Sequence, residues 1–262
     1  CAPRSLDHLS LPGSGGRVDL RGGITQGDSN SNRGGAGDDR GLGLRTNMGR
    51  RFLRRNDTGL DLSGNLVDAE QLPDDWSPDD LFASPGPLEI EVGSGKGLFL
   101  ETVSAEHPEQ NFLGIEIASK YARFAAARLA RRQCKNAVVM AGDAQLLFQR
   151  RLVAGSVQAV HVYFPDPWWK KRHRKRRVMN KSFLEHVVRV LQPAGELHFW
   201  TDVLEYYEAT LELLTEIPQL KGPFPVQPRE AEHDMDYHTH FERRVRLNEE
   251  PVYRSRFVCT PS

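Results

Sequence analysis

The chain has 262 residues, with 35 Lys and Arg against 35 Asp and Glu and a formal net charge of zero. That length holds one large domain or two small ones, and the neutral balance excludes a pull of the whole molecule toward nucleic acid or an anionic membrane. Three widely spaced cysteines, Cys1, Cys134 and Cys259, form no CxxC or Cys/His cluster, so no metal site is expected and a reducing cytoplasm fits; no apolar run approaches the roughly 18 residues of a membrane span.

Residues 1–47 hold 11 of the 23 glycines, with much Ser, Asn, Asp and Arg. They offer little to fill a core and read as a disordered tail. The first methionine is Met48, where ordinary-looking sequence begins. Residues 1–47 are therefore expected to be dispensable, or an extension upstream of the true start. Residues 48–84 read as an N-terminal arm. It carries Asp68, Glu70, Asp74, Asp75, Asp79 and Asp80 and is either mobile or a cover over a basic patch further on.

From residue 85 to 262 the pattern is that of one α/β domain. Leu88–Val92 is a short apolar strand, followed by glycines and a helix near 97–105. Asn111–Ile117 is a second strand. Ser119 opens a helix through about 132, with Tyr121, Phe124, Ala125 and Leu129 at helical spacing. Ala137–Ala141 and Val157–Phe164 are strands, Lys181–Leu191 a helix, Glu196–Thr201 a strand and Glu205–Glu216 a helix. This alternation implies a mostly parallel sheet with helices on both faces.

The first strand runs into Glu91-Val92-Gly93-Ser94-Gly95-Lys96-Gly97. Glycines there permit a sharp turn and close approach of a ligand. Leu98 stands where a dinucleotide fingerprint needs its third glycine, and no GxxxxGK[ST] is present. Glu91 would repel a pyrophosphate but suits a ligand with a cationic amino-acid end, such as S-adenosylmethionine. Glu116 ends the second strand, where an acid accepts hydrogen bonds from ribose hydroxyls. Asp143 follows the third and is placed to meet an adenine amine. Each acid alone reads equally well as a helix N-cap; their succession at strand ends favours a methyltransferase-type site.

The most specific stretch is Phe164-Pro-Asp166-Pro-Trp168-Trp169-Lys170-Lys-Arg-His-Arg-Lys-Arg-Arg177. It sets a carboxylate and two aromatic faces at a strand end, before eight residues of which seven are Lys or Arg. Aromatic faces stack on bases and cations hold phosphates. Arg172, Arg174, Lys175, Arg176 and Arg177 are candidate phosphate contacts, and Lys170 is near enough to reach the base or its sugar. The alternatives are a capping Asp166, a core Trp168 and a solvated basic face.

These motifs together resemble the bacterial tRNA (guanine-N7-)-methyltransferase family, over about residues 88–257. The resemblance rests on the glycine loop, Gly114-Ile-Glu116, Asp143-Ala144, the Phe164–Arg177 block, Thr201-Asp202 and Thr239-His-Phe-Glu242. It implies a Rossmann-like fold with a seven-stranded sheet, the last strand antiparallel near Val252–Val258. S-adenosylmethionine is the implied donor and the variable-loop guanosine at position 46 of tRNA the acceptor. Glu91, Gly93, Gly95, Glu116, Asp143 and Asp166 would bind the cofactor, with Asp166 also catalytic. Lys170, Asp202 and Thr239, His240, Phe241 and Glu242 would hold the nucleotide, although His240 itself occupies a variable position and reads as a surface histidine. Trp169 departs from the family pattern, which has a proline or small polar residue there.

Guanine N7 carries a lone pair and no proton, so transfer needs no general base; a carboxylate would stabilise the charge developing on the ring. A soluble cytoplasmic monomer or homodimer is expected. Competing readings are an adenine amino-methyltransferase, whose acid and aromatic are separated by two prolines, an NAD-dependent dehydrogenase, and a tRNA-binding module without activity.

Overall fold

The computed structural model describes residues 59–73, 75–227 and 237–260. The tail expected over 1–47 lies outside these residues, as do the first residues of the arm.

Eight strands form one sheet: β1 (Leu66–Asp68), β2 (Leu88–Val92), β3 (Asn111–Glu116), β4 (Ala137–Ala141), β5 (Val157–Tyr163), β6 (Leu191–Thr201), β7 (Leu220–Phe224) and β8 (Tyr253–Cys259). Their order is β1-β4-β3-β2-β5-β6-β8-β7. β8 runs antiparallel to both neighbours. The sequence reading expected seven strands. The eighth is β1, which comes from the arm and pairs with β4 through Leu66–Val139, Val67–Met140 and Asp68–Ala141. Three half-buried residues are too few to show a strand period.

The helices are α1 (Leu98–Glu106), α2 (Ser119–Arg131), α3 (Ala144–Arg150), α4 (Lys181–Val190), α5 (Leu204–Leu214) and α6 (His240–Leu247). Strand residues alternate between the sheet's two faces, as the two-residue period requires. Ile90, Ile115, Met140, Val160, Val162 and Phe199 pack with Phe148, Phe183, Leu184, Val187 and Tyr206 on one side. Phe112, Val139, Tyr163 and Trp200 pack with Phe99, Leu100, Ala125 and Leu129 on the other. α4 shows how sequence places such a helix. The Asn180 side chain accepts the Phe183 N–H at 3.0 Å, and Phe183, Leu184, Val187 and Val190 form its buried stripe.

Two acidic residues of the arm, Asp68 and Asp80, serve local structure. Asp68 accepts the Glu70 N–H, and Ser77 and Asp80 form a reciprocal capping box. Trp76 is buried in the core on the α3/α4 side, and Arg151 donates to the Leu72 and Pro73 carbonyls. Residues 59–73 and 75–82 are thus anchored to the β4/α3 edge. Among the described residues no helix is long and apolar enough to cross a membrane.

Candidate active site

The chain leaves β2 for β3 and β4 on one side and returns to β5 on the other, so the strand order reverses between the parallel neighbours β2 and β5. Ligands of such sheets sit outside the carboxyl ends of the strands at this switch point. Glu91, Glu116, Asp143, Asp166 and Asp202 all lie at that edge, within or just after β2, β3, β4, β5 and β6.

Glu91 is buried, and its Oε2 has no hydrogen-bond partner. Burial, with the charge of Glu116 adding to it, pushes its carboxyl up to about 8. An orphaned carboxyl in that state fits a cationic ligand group, which would pair with it and restore its charge. Ser94 in the adjoining loop is also buried with an unpartnered Oγ. Gly93, Gly95 and Gly97 have φ of 81°, 54° and 70°, values glycine adopts without strain. A Cβ on Gly93 would meet open space, whereas one on Gly97 would lie 2.8 Å from the Ala125 Cβ. The first glycine thus borders a cradle and the last is fixed by helix packing.

Glu116 holds the loop in place. Its Oε2 accepts the Gly95 N–H and its Oε1 the Ala118 N–H, each at 2.9 Å. Both oxygens keep lone pairs for a further donor. Asp143 is exposed and caps α3, its Oδ1 accepting the Gln145 N–H at 2.8 Å. Here the capping and ligand readings coexist on one side chain. Two apolar residues beside these acids were not singled out from sequence. Ile117, directly after Glu116, is 73% exposed, and Leu146 in the first turn of α3 is 50% exposed. Such exposure suits the faces of a flat ring.

After β5 the backbone is strained. Phe164 and Trp168 have φ of 49° and 48°, sparsely populated for bulky residues. They bracket Pro165-Asp166-Pro167, which presents Asp166 to solvent. Trp168 is half-buried under the basic run rather than in the core, with Arg176 5.0 Å over its ring and His173 edge-on at 5.9 Å. Trp169 is 66% exposed.

A family model described as "Putative methyltransferase" matches residues 85–255. A tRNA (guanine-N(7)-)-methyltransferase of Rhodopirellula baltica is 54% identical over 218 residues, 81% of this chain and 79% of that protein. One of Myxococcus xanthus is 34% identical over 194 residues, 72% of this chain and 90% of that protein. The chain belongs to the tRNA (guanine-N7-)-methyltransferase family. Among solved structures, the 16S rRNA methyltransferase KamB superposes with a TM-score of 0.51 at 14% identity, over 70% of this chain and 92% of that one, a likeness of fold. The fold is that of the S-adenosylmethionine-dependent methyltransferases.

In this tRNA (guanine-N7-)-methyltransferase family member the basic run forms a 3-10 helix, Lys171–Arg176. Lys170, Arg172, Arg174, Lys175 and Arg176 are exposed, and Arg174 lies 3.3 Å from Glu205. Arg177 differs from the rest of the expected phosphate contacts. It is buried, donates from Nε to the Pro167 carbonyl at 2.8 Å, and grips both oxygens of Glu205 at 2.8 and 3.3 Å. Its guanidinium lies 4.3 Å over the Tyr206 ring. In this structure it braces the Asp166–Pro167 turn.

The Thr239–Glu242 group reaches the same edge by a different route. The Phe241 ring stacks on Phe164 at 5.0 Å, and Arg244 covers Phe241 at 4.0 Å. Thr239 caps α6 by accepting the Glu242 N–H at 2.9 Å. Glu242 is 1% exposed and its carboxylate is taken up within the protein, by the His238 N–H at 2.7 Å and by Arg254 at 2.9 Å. His240 is exposed and bonded to Arg128 at 2.9 Å. Asp202 is half-buried; burial raises its carboxyl, with Arg244 opposing. Among the described residues no cluster of three or more His, Cys, Asp or Glu could hold a metal ion.

Proposed function

We propose that this enzyme methylates N7 of guanosine 46 in the variable loop of tRNA. The observation that carries this reading is the buried, unpartnered Glu91 carboxyl on the strand next to the one that leads into Asp166 and the cationic run. S-adenosylmethionine supplies the methyl group as an electrophile carried on a sulfonium. Glu91 would pair with its ammonium end, Glu116 would accept from its ribose hydroxyls and Asp143 from its adenine amine, with Ile117 and Leu146 offering apolar faces to the ring. Guanine N7 has no proton to lose, so Asp166 acts as a fixed negative charge that stabilises the ring as it becomes cationic. Lys170 and Asp202 hold the nucleotide, with Thr239 and Phe241 shaping the wall beside it. The exposed cations from Arg172 to Arg176 take phosphates, and Trp169 offers a face to a neighbouring base. The reading places the enzyme in the cytoplasm as a monomer or homodimer, which light scattering distinguishes.

The test is methyl transfer from labelled S-adenosylmethionine to bulk tRNA, with digestion to nucleosides. Label in 7-methylguanosine, lost when guanosine 46 is replaced, is expected. Label in any other nucleoside would discard the reading of the acceptor atom.

A further inference from the structure

A chain of polar groups runs through the sheet face that α1 covers. Glu89 of β2, His161 and Tyr163 of β5, and His198 and Trp200 of β6 share that face, since His161 lies opposite both Glu91 and His198, and Tyr163 opposite Trp200. His161 and Tyr163 are buried. The imidazole is held at both nitrogens. Its Nε2 lies 2.8 Å from Glu89 Oε2 and its Nδ1 2.8 Å from the Tyr163 hydroxyl. Burial pushes His161 down to about 4, with Glu89 opposing, so the ring is neutral near pH 7. Burial also acts to raise Glu89, but the His161 hydrogen bond outweighs it and keeps the carboxyl below its ordinary range. An ionised carboxylate only accepts, so Nε2 carries the proton and Nδ1 accepts from the tyrosine O–H. The order Glu89, His161, Tyr163 therefore has one direction. His198 stacks on His161 at 4.9 Å and is itself bonded to Glu196 at 2.9 Å.

The tyrosine ring held by this chain touches several parts of the site's frame. Phe99, two residues after Gly97 of the glycine loop, lies edge-on to it at 5.2 Å and 4.7 Å from His161. Trp200, which leads into Thr201-Asp202, lies 4.6 Å away. His238, whose N–H donates to Glu242, lies 6.1 Å away and meets Trp200 edge-on at 4.7 Å. The next residue in the chain is Phe164. Its N–H donates to the Trp200 carbonyl at 2.8 Å, and its left-handed backbone starts the turn to Asp166. The helix after the glycine loop, the Asp166 turn and the ends of β6 and the segment before α6 thus meet on one ring.

We infer that Tyr163 is a positioning residue for methyl transfer, locked through its hydroxyl by His161 and Glu89, and that its ring sets the spacing between the cofactor loop and the Asp166 turn. It acts through these neighbours rather than on a reactant. This rests on the reading that the loop holds the methyl donor and the Asp166 turn faces the acceptor guanine. Transfer from sulfur to N7 depends on alignment, and a misplacement of about 1 Å costs on the order of a hundredfold. Aromatic packing alone tolerates a range of offsets and tilts; a hydroxyl bonded to an oriented imidazole narrows that range.

The experiment compares Tyr163→Phe, which removes the hydroxyl and keeps the ring, with Glu89→Gln, which keeps the shape and removes the charge that orients His161. Single-turnover methylation of tRNA is measured for both, for the double variant and for the unaltered enzyme, well below every melting temperature. S-adenosylmethionine affinity is measured by calorimetry and tRNA affinity by anisotropy. Tyr163→Phe is expected to slow transfer about tenfold and Glu89→Gln about fivefold, with both affinities within about twofold of the unaltered enzyme. The double variant should be no slower than Tyr163→Phe, because both changes act through one hydroxyl. A lower melting temperature with an unchanged transfer rate would make the chain a support of the core, overturning the inference and leaving the substrate reading intact. Weakened affinity with an unchanged rate would overturn it as well, and so would independent losses that multiply in the double variant. An unaltered enzyme that binds S-adenosylmethionine and transfers nothing to tRNA would remove the substrate reading and this inference with it. If Tyr163→Phe fails to fold, Glu89→Gln carries the test and must slow transfer at unchanged affinities.

Discussion

At the scale of single residues the site is built from groups that other proteins avoid: a buried orphan carboxyl at Glu91 and left-handed backbone at Phe164 and Trp168. Such features cost stability and persist where function uses them. Glu91 has a folded pKa of about 8 against an ordinary 4.5. The folded protein thus holds this proton where the unfolded chain has released it. Stability is lost as pH rises from the ordinary carboxylate range to about 8, and the full penalty is present above that. Glu91→Gln is therefore expected to melt higher than the unaltered protein at pH 8.5 without cofactor, and no higher at pH 4. The same change should weaken S-adenosylmethionine at least tenfold by calorimetry. Asp166→Asn tests the other charge. Turnover is expected to fall about a hundredfold, the scale of losing one transition-state electrostatic contact, while cofactor affinity changes less than about threefold. Loss of cofactor affinity alone would make Asp166 a binding residue and overturn its role at the ring.

At the scale of elements, the supports of the site can be separated from its contacts. Arg177 holds the Pro167 carbonyl and both Glu205 oxygens. Arg177→Lys keeps the charge and loses the two-pronged grip. tRNA affinity should stay within about twofold, since the charge remains, and kcat should drop as the Asp166 turn loosens; a fall in affinity alone would return Arg177 to the phosphate contacts. Sequence could not make this distinction, because a run of cations looks uniform until packing selects the one against Tyr206. The same holds for Glu242, whose burial against Arg254 depends on β8 lying opposite β6. The strand-end acids were legible because a parallel sheet puts consecutive carboxyl ends on one edge, whatever the details of the loops. Leu88–Val92 and Ala137–Ala141 were legible as strands because they are short apolar runs bounded by turn residues. β7 was not, since Leu220–Phe224 contains Gly-Pro and buries one residue, which gives no alternation to read. α6 was missed because His240–Leu247 buries Glu242 and Val245 amid arginines, too few apolar positions for a helical stripe.

At the scale of the whole molecule, the described residues of the arm from 59 onward are part of the fold. β1 extends the sheet beyond β4 and Trp76 is 7% exposed in the core. A chain beginning at Met48 is expected to keep its methylation rate and melting temperature. One beginning at residue 85 should lose several kcal/mol, from burial of a tryptophan and its neighbours, and aggregate on heating. Equal melting temperatures for the two truncations would show that the arm is dispensable.

The exposed cations after β5 also bear on how the protein is handled. Electrophoresis at neutral pH, where the formal charge is zero, should leave the protein nearly stationary. A heparin column at the same pH should nevertheless retain it, because a flexible polyanion finds the cationic side and ignores the acidic remainder. Elution will then follow sodium chloride rather than pH, and a preparation that looks pure by protein staining will carry cellular RNA, visible as excess absorbance at about 260 nm, unless it is washed at high salt.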